Sequence, residues 1–361
     1  MLVKKVYLEN FLSYESLFVE FEEGLNILIG NNAEGKTNLL ESIYYSSVGK
    51  SAKGLRDKEL INWKADKGAR IRLFVEKGFS SHIVDISIDK QGKKRITIDN
   101  LPISKIGELM GAVNVVYFSP EEIRLIKESP ADRRRFMDIS LCQQNKVYFY
   151  TLVKYNKLLA QRNKLLKDYN NSPSLKEMSE LITDKMCECQ EYIIMRRKEF
   201  ISKLTPIANK RHGIITSGKE TLEIEYETEE HSEDVQGSLK KLYEINFEKD
   251  KRLQYTTVGV HRDDIKIVAG GIDVRKYGSQ GQQRTAALSL KLAEVFAFKE
   301  ISGEYPILLM DDVLSELDEK RRKALFSELD GIQTFVTCTD FNENVKQKSV
   351  YHIHDRTVTK K

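Results

Sequence analysis

The eight residues Gly30-Asn31-Asn32-Ala33-Glu34-Gly35-Lys36-Thr37 set two glycines, a lysine and a threonine at the spacing of a phosphate-binding loop. Each residue type has a task there. The glycines let the backbone curl until successive N–H groups face phosphate oxygens, and a helix starting near Lys36 adds its positive end. Lys36 is placed to reach the β- and γ-phosphates, and the Thr37 hydroxyl supplies an oxygen for Mg²⁺. The flanks agree. Leu25-Asn26-Ile27-Leu28-Ile29 reads as a buried strand running in, and Leu39, Leu40, Ile43 and Tyr44 recur at helical spacing beyond. Gly30 to Thr37 therefore predict a cradle for a nucleoside triphosphate with Mg²⁺, with Lys36 as a catalytic cation.

Two further runs complete the chemistry. Ile307-Leu308-Leu309-Met310 closes on the carboxylates Asp311 and Asp312. At the carboxyl end of a strand beside the loop, Asp311 is expected to hold the metal and Asp312 to polarise the attacking water. Tyr277-Gly278-Ser279-Gln280-Gly281-Gln282-Gln283-Arg284 puts a small hydroxyl and a bare backbone ahead of a helix, the makings of a second phosphate site. This run resembles the S-x-G-Q signature of ABC-type ATPases, and Leu314-Ser315-Glu316-Leu317-Asp318 resembles their D-loop. The resemblance implies that the nucleotide is ATP, and that Ser279, Gly281 and Gln282 close on the nucleotide of a second subunit, making an ATP-dependent homodimer. Thr337 and Thr339 stand where such ATPases carry a γ-phosphate switch residue, with Thr339 the candidate.

Within that class, the stretch between loop and signature is far shorter than the coiled-coil inserts of SMC-type heads. Four segments narrow the resemblance: Leu8–Tyr14, Arg56–Ile61, Ser129–Asp138 and Gly259–Asp264. Together they resemble the RecF family, over residues 1 to about 345 and in the same motif order. Membership implies a weak ATPase of recombinational DNA repair. ATP binding would drive dimerisation on gapped duplex DNA, hydrolysis would release it, and RecO and RecR would be its partners in loading the recombinase. Two positions depart from the family pattern. Leu12 stands where an arginine is common, and Val260 where proline is frequent.

These motifs need a scaffold. The 361 residues, 40% hydrophobic, suffice for two domains, and the net charge of +4 alone proves no polyanionic partner. Its distribution says more. Residues 121–213 hold 19 Lys+Arg against 12 Asp+Glu, a net of +7, whereas 214–256 hold 6 against 11. That asymmetry fits either a basic DNA-facing surface or solvated helix faces. Arg133, Arg134 and Arg135 are the candidate DNA contacts; the alternative is a helix-start cluster pairing with Asp132 and Asp138. His261, Arg262, Asp263 and Asp264 fit either a role in organising the signature region or the dimer seam, or an interlobe salt-bridge network. His352 and His354 lack a third ligand and read as structural.

Val3–Leu8, Ser16–Phe21, Leu25–Ile29 and Asn114–Phe118 read as strands, and Ile83–Ile88 with Arg95–Ile98 as a hairpin about Asp89–Lys93. From Glu121 to His212 helical spacing dominates, with a break at Asn170-Asn171-Ser172-Pro173. Leu222–Tyr226 reads as an edge strand and Gln282–Lys299 as a helix. The expected fold is α/β, an ABC-type P-loop ATPase head built from residues 1–120 and 255–361. A mainly helical lobe, 121–254, is inserted between. The four cysteines show no metal spacing and read as reduced thiols. With no signal-peptide core and no run of 18 apolar residues, the chain reads as cytoplasmic, without a membrane partner. The ATPase subunit of a membrane transporter would leave the long insert and the hairpin unexplained. A P-loop kinase-like enzyme would leave the signature and D-loop without a role.

Overall fold

A computed structural model describes residues 1–168, 175–229, 232–341, 343, 345 and 348–361; the break expected at 170–173 lies outside them. Three sheets form among the described residues. The first is antiparallel. Its strands are β1 (Leu2–Phe11), β2 (Tyr14–Glu20), β4 (Ala69–Lys77), β5 (Ser80–Ile88), β6 (Lys94–Ile98) and β7 (Leu101–Pro102), in the order β2-β1-β4-β5-β6-β7. The hairpin about Asp89–Lys93 is present, with Ile88 opposite Lys94 and Val84 opposite Ile98. β4 was not anticipated from the sequence. It inserts between β1 and β5, burying Ala69, Ile71, Leu73 and Val75 on one face.

The second sheet positions the phosphate-binding loop. It runs β15 (Thr357–Lys360), β14 (Lys348–His354), β3 (Leu25–Ile29), β13 (Thr334–Cys338), β12 (Ile307–Asp311) and β8 (Val115–Phe118), in that order. All its pairs are parallel except β14 with β15. Both faces are covered, so its central strands are apolar almost throughout. Leu28, Ile307, Leu309 and Phe335 point toward helix α1 (Lys36–Val48) and the antiparallel sheet. Ile27, Leu308, Met310 and Val336 point toward the helical side. Strand alternation thus divides one sheet between two cores.

The helical side holds α2 (Arg124–Lys127), α3 (Pro130–Gln144), α4 (Lys146–Asp168), α5 (Leu175–Thr216) and α6 (Val235–Leu253). The third sheet, β11 (Ile272–Asp273), β10 (Asp264–Ala269) and β9 (Leu222–Glu227), packs among them. β9 is an edge strand, as its alternation suggests, but its partner β10 comes after residue 255. This sheet therefore spans the expected lobe boundary. α7 (Val274–Tyr277) and α8 (Gln280–Ser302) follow, and α8 is buried along most of its length, packed on the long α5 and on β8. α9 (Glu319–Ser327) precedes β13. The four cysteines are buried free thiols. No helix among the described residues is long and apolar enough to cross a membrane.

One buried ion pair fastens three helices. Arg162 of α4 donates to Asp250 of α6 at 2.7 Å and to Thr183 of α5 at 3.1 Å, with the pair 1% and 0% exposed. Its guanidinium also lies over the Tyr243 ring at 4.9 Å. Removing one partner of such a pair strands a charge away from water. Asp250→Ala should therefore destabilise the chain by about 3–5 kcal/mol. Lys323→Ala, which breaks an exposed pair with Glu319, should leave the urea midpoint unmoved.

Candidate nucleotide-binding site

The loop from Gly30 to Thr37 joins β3 to α1, as the sequence predicts. Gly35 has φ 110°, and a Cβ there would lie 2.8 Å from the Tyr14 hydroxyl. At Gly30 a Cβ would meet the Ile353 carbonyl oxygen at 2.4 Å. Both positions admit only glycine, one for backbone conformation and one for close approach. Asn31, Asn32 and Ala33 are exposed at the tip, while Glu34 accepts a bond from the Asp355 N–H at 3.0 Å. Lys36 Nζ donates to the Gly30 and Asn31 carbonyls at 2.6 and 2.7 Å, so the ammonium lies within the loop's own curve.

β12 delivers Asp311 to the same place. Its carboxylate, 7% exposed, accepts three hydroxyl donors. Thr37 Oγ1 reaches Oδ1 at 2.9 Å, Thr337 Oγ1 reaches Oδ1 at 2.7 Å, and the Tyr117 hydroxyl reaches Oδ2 at 2.9 Å. Thr37 and Asp311 are hard oxygen donors in contact, a set suited to Mg²⁺. Asp312 follows in the left-handed region at φ 54° with an exposed side chain. Desolvation and then the neighbouring Asp311 raise its carboxyl above the ordinary value. Its backbone N–H donates to Thr337 Oγ1 at 2.9 Å. Thr339, the switch candidate of the pair, is exposed beyond the end of β13; Thr337 is the one at the carboxylates. Tyr117 was missed because a tyrosine in Val-Val-Tyr-Phe reads as core.

The second motif is elsewhere. Ser279 caps α8: its Oγ accepts from Gln282 N at 3.2 Å, and Gln282 Oε1 accepts from Ser279 N at 3.0 Å. Gln282 also donates to Glu220 at 2.9 Å. Ser279 is exposed and Gly281 half-buried. Among the described residues, Ser279 and Gly281 bond within their own helix start, to Gln282 and Thr285, rather than to the loop at Gly30–Thr37. Arg284, one turn along α8, is ion-paired with Glu316 of the D-loop. The structure thus gathers Lys36, Thr37, Asp311 and Asp312 and holds Ser279, Gly281 and Gln282 apart.

A family model described as the RecF/RecN/SMC N terminal domain matches residues 2–360. The DNA replication and repair protein RecF of Clostridium botulinum (strain Loch Maree / Type A3) is 42% identical over the whole of both chains. That of Clostridium kluyveri is 44% identical over 95% of this chain and 94% of its own. The chain belongs to the RecF family. Its backbone agrees with solved structures of the recombination mediator protein RecF in the RecFOR pathway, described as RecF-ATPrS and RecF-ATP. Their TM-scores are 0.92 and 0.91, each at 36% identity and 99% coverage of this chain, with 98% and 97% of theirs covered. An Smc head domain from Pyrococcus furiosus shares the ABC-type fold at TM-score 0.57 and 16% identity.

Against that background the arginine cluster needs correction. Arg133 is 2% exposed and grips Asp264 with two bonds, at 2.5 and 2.8 Å. It is no free contact for DNA. Arg134 is half-buried and donates to the Asp263 carbonyl at 2.6 Å, which leaves Arg135 as the exposed member. The sequence hid this because Asp264 lies 131 positions away. Of the two readings of residues 261–264, the contacts fit the salt-bridge network. Arg197 pairs with Asp138 at 2.9 Å and Asp263 at 3.3 Å, and donates to the Val260 carbonyl at 2.8 Å.

His261 belongs to the same network. Its Nε2 lies 3.1 Å from the Thr256 carbonyl and must donate, so Nδ1 accepts the Tyr155 hydroxyl at 2.6 Å. The ring is held neutral, and burial lowers its pKa to about 4. The unfolded chain binds this proton near pH 6.5 and the folded chain only near 4. The contribution is therefore complete above pH 6.5 and lost as pH falls toward 4, roughly 3 kcal/mol in all. His261→Gln should flatten the fall in chemical-denaturation stability between pH 6.5 and 4; an unchanged slope would contradict the neutral ring.

Proposed function

We propose that this chain is an ATP-driven switch of recombinational DNA repair. ATP binding pairs two copies on DNA, and hydrolysis lets them part. The observation that carries this is the division of the site. One chain builds the loop and carboxylates completely, yet presents its signature serine outward, where a second copy's nucleotide could reach it.

Each group has a part. The loop N–H groups and the start of α1 hold phosphate oxygens, and Lys36 exchanges the Gly30 and Asn31 carbonyls for phosphate. Thr37 and Asp311 would hold Mg²⁺, which supplies charge neutralisation at the β- and γ-phosphates. Asp312, with its raised pKa, orients and polarises the attacking water. Ser279 and the first-turn N–H groups of α8 complete the phosphate cage from the partner copy. Pairing brings two basic surfaces to one duplex, so ATP tightens DNA binding through effective concentration rather than base readout. The RecFOR pathway named for the similar solved structures supports RecR and RecO as partners. The proposed place of action is gapped duplex DNA in the cytoplasm.

The test is sedimentation with and without ATP. Wild type should dimerise with ATP, whereas Ser279→Arg should bind ATP as a monomer and fail to pair. Asp312→Asn should slow hydrolysis on the order of a hundredfold and prolong the dimer. A Ser279→Arg protein that still dimerises would refute the shared site. For DNA, Arg135→Ala should lower the salt slope of duplex affinity by about 1 if its guanidinium meets a phosphate. Affinity indifferent to both ATP and salt would remove DNA from the reading.

A further inference from the structure

Asp311 has a third hydroxyl donor that lies outside the motifs. Tyr117 stands on β8, opposite Leu309 of β12 in parallel register. Leu309 and Asp311 share a face of β12, two residues apart. A side chain at 117 long enough to reach one pleat along therefore meets the Asp311 carboxylate. The phenol does so, donating to Oδ2 at 2.9 Å. The ring itself is held by Tyr44 of α1, centroids 5.5 Å apart and planes tilted 56°. Lys36 and Thr37 open that same helix.

We propose that Tyr117 is a positioning residue for the metal site: it fixes the rotamer of Asp311 so that the carboxylate meets a divalent cation already aligned. Thr37 and Thr337 both bond Oδ1. Two donors on one oxygen leave rotation about the Cβ–Cγ bond weakly restrained, and Tyr117 pins the other oxygen. A carboxylate held at both oxygens has less orientational freedom to lose when the cation arrives. At 7% exposure, bulk water is a poor substitute for a missing donor. The inference rests on the nucleotide-site reading above.

The test separates metal from nucleotide. A fluorescent ATP analogue is titrated onto the full chain in EDTA and at graded Mg²⁺, for wild type, Tyr117→Phe and Tyr44→Phe. Phenylalanine keeps the ring and removes the donor. Tyr117→Phe should match wild type in nucleotide affinity in EDTA, with a melting temperature lowered by no more than the loss of one buried hydrogen bond allows. The Mg²⁺ concentration for half-maximal tightening should rise about tenfold or more, the scale of one lost hydrogen bond to a charged group. Tyr44→Phe, whose hydroxyl does not touch Asp311, should keep the wild-type Mg²⁺ response. The same Mg²⁺ dependence in Tyr117→Phe as in wild type would overturn the proposal. So would an equal loss with and without Mg²⁺, which would make Tyr117 a packing residue. If wild type binds no analogue at all, the nucleotide-site reading falls, and the inference with it.

Discussion

The hydrogen bonds converging on Asp311 set the terms for everything around them. A carboxylate 7% exposed and without an ion pair among the described residues would be costly if left without donors. Three hydroxyls answer it: Thr37 from the start of α1, Thr337 from β13 and Tyr117 from β8. Each comes from a different element, so satisfying one charge fixes the loop helix and two strands to the end of a third. The parallel register β3-β13-β12-β8 makes this possible by bringing those elements to the same edge. Fold and site are here the same constraint.

A second set of buried charges does for the helical side what Asp311 does for the loop. Arg133, Arg162 and Arg197 are each 2% exposed or less, and each meets aspartate from a distant part of the chain. Ion pairs of this kind seldom stabilise more than apolar packing would, but half of one is strongly destabilising. Their effect is to penalise wrong arrangements of α3, α4, α5, α6 and β10. One of them extends toward the signature. Asp264 holds Arg133 of α3 and also takes Arg275 of α7 at 3.3 Å, and α7 leads directly into Ser279. The placement of the exposed serine is thus fastened to the buried helical core.

Local chemistry was legible in the sequence and long-range partnership was not. The loop, the strand closing on Asp311 and the helix that starts after Ser279 are written in consecutive residues, and all three elements form. β4 is not among the strands singled out from the sequence, although Ala69, Ile71, Leu73 and Val75 alternate cleanly and Arg70, Arg72 and Glu76 charge its other face. Those two arginines are absorbed by Asp85 of the neighbouring strand, at 2.6 and 2.7 Å. Arg133 is absorbed in the same way at greater distance. A charge cluster shows its composition in sequence, but whether it faces water depends on an acid that topology alone brings near. Thr337 and Thr339 differ only in pleat position relative to the strand end, which spacing could not locate.

The outward signature motif follows from the way helices begin. The first N–H groups of any helix lack an intrahelical acceptor, and here the side-chain cap uses one of them, the Gln282 N–H bonded to Ser279 Oγ. Gly281 adds no side chain, and a Cβ there would have only Arg321 at 3.7 Å and the Ser279 oxygen at 3.9 Å nearby. The motif is therefore open, donor-rich and flanked by arginine, a set of properties suited to an anion. The chain's own loop follows β3, with its lysine turned onto its own carbonyls. An anion site that its own fold cannot fill and a phosphate cradle with one side uncovered are complementary surfaces. On the proposed reading, a second copy that brought them together about the same nucleotide would turn the energy of phosphate binding into energy of association, and loss of the γ-phosphate would weaken that contact.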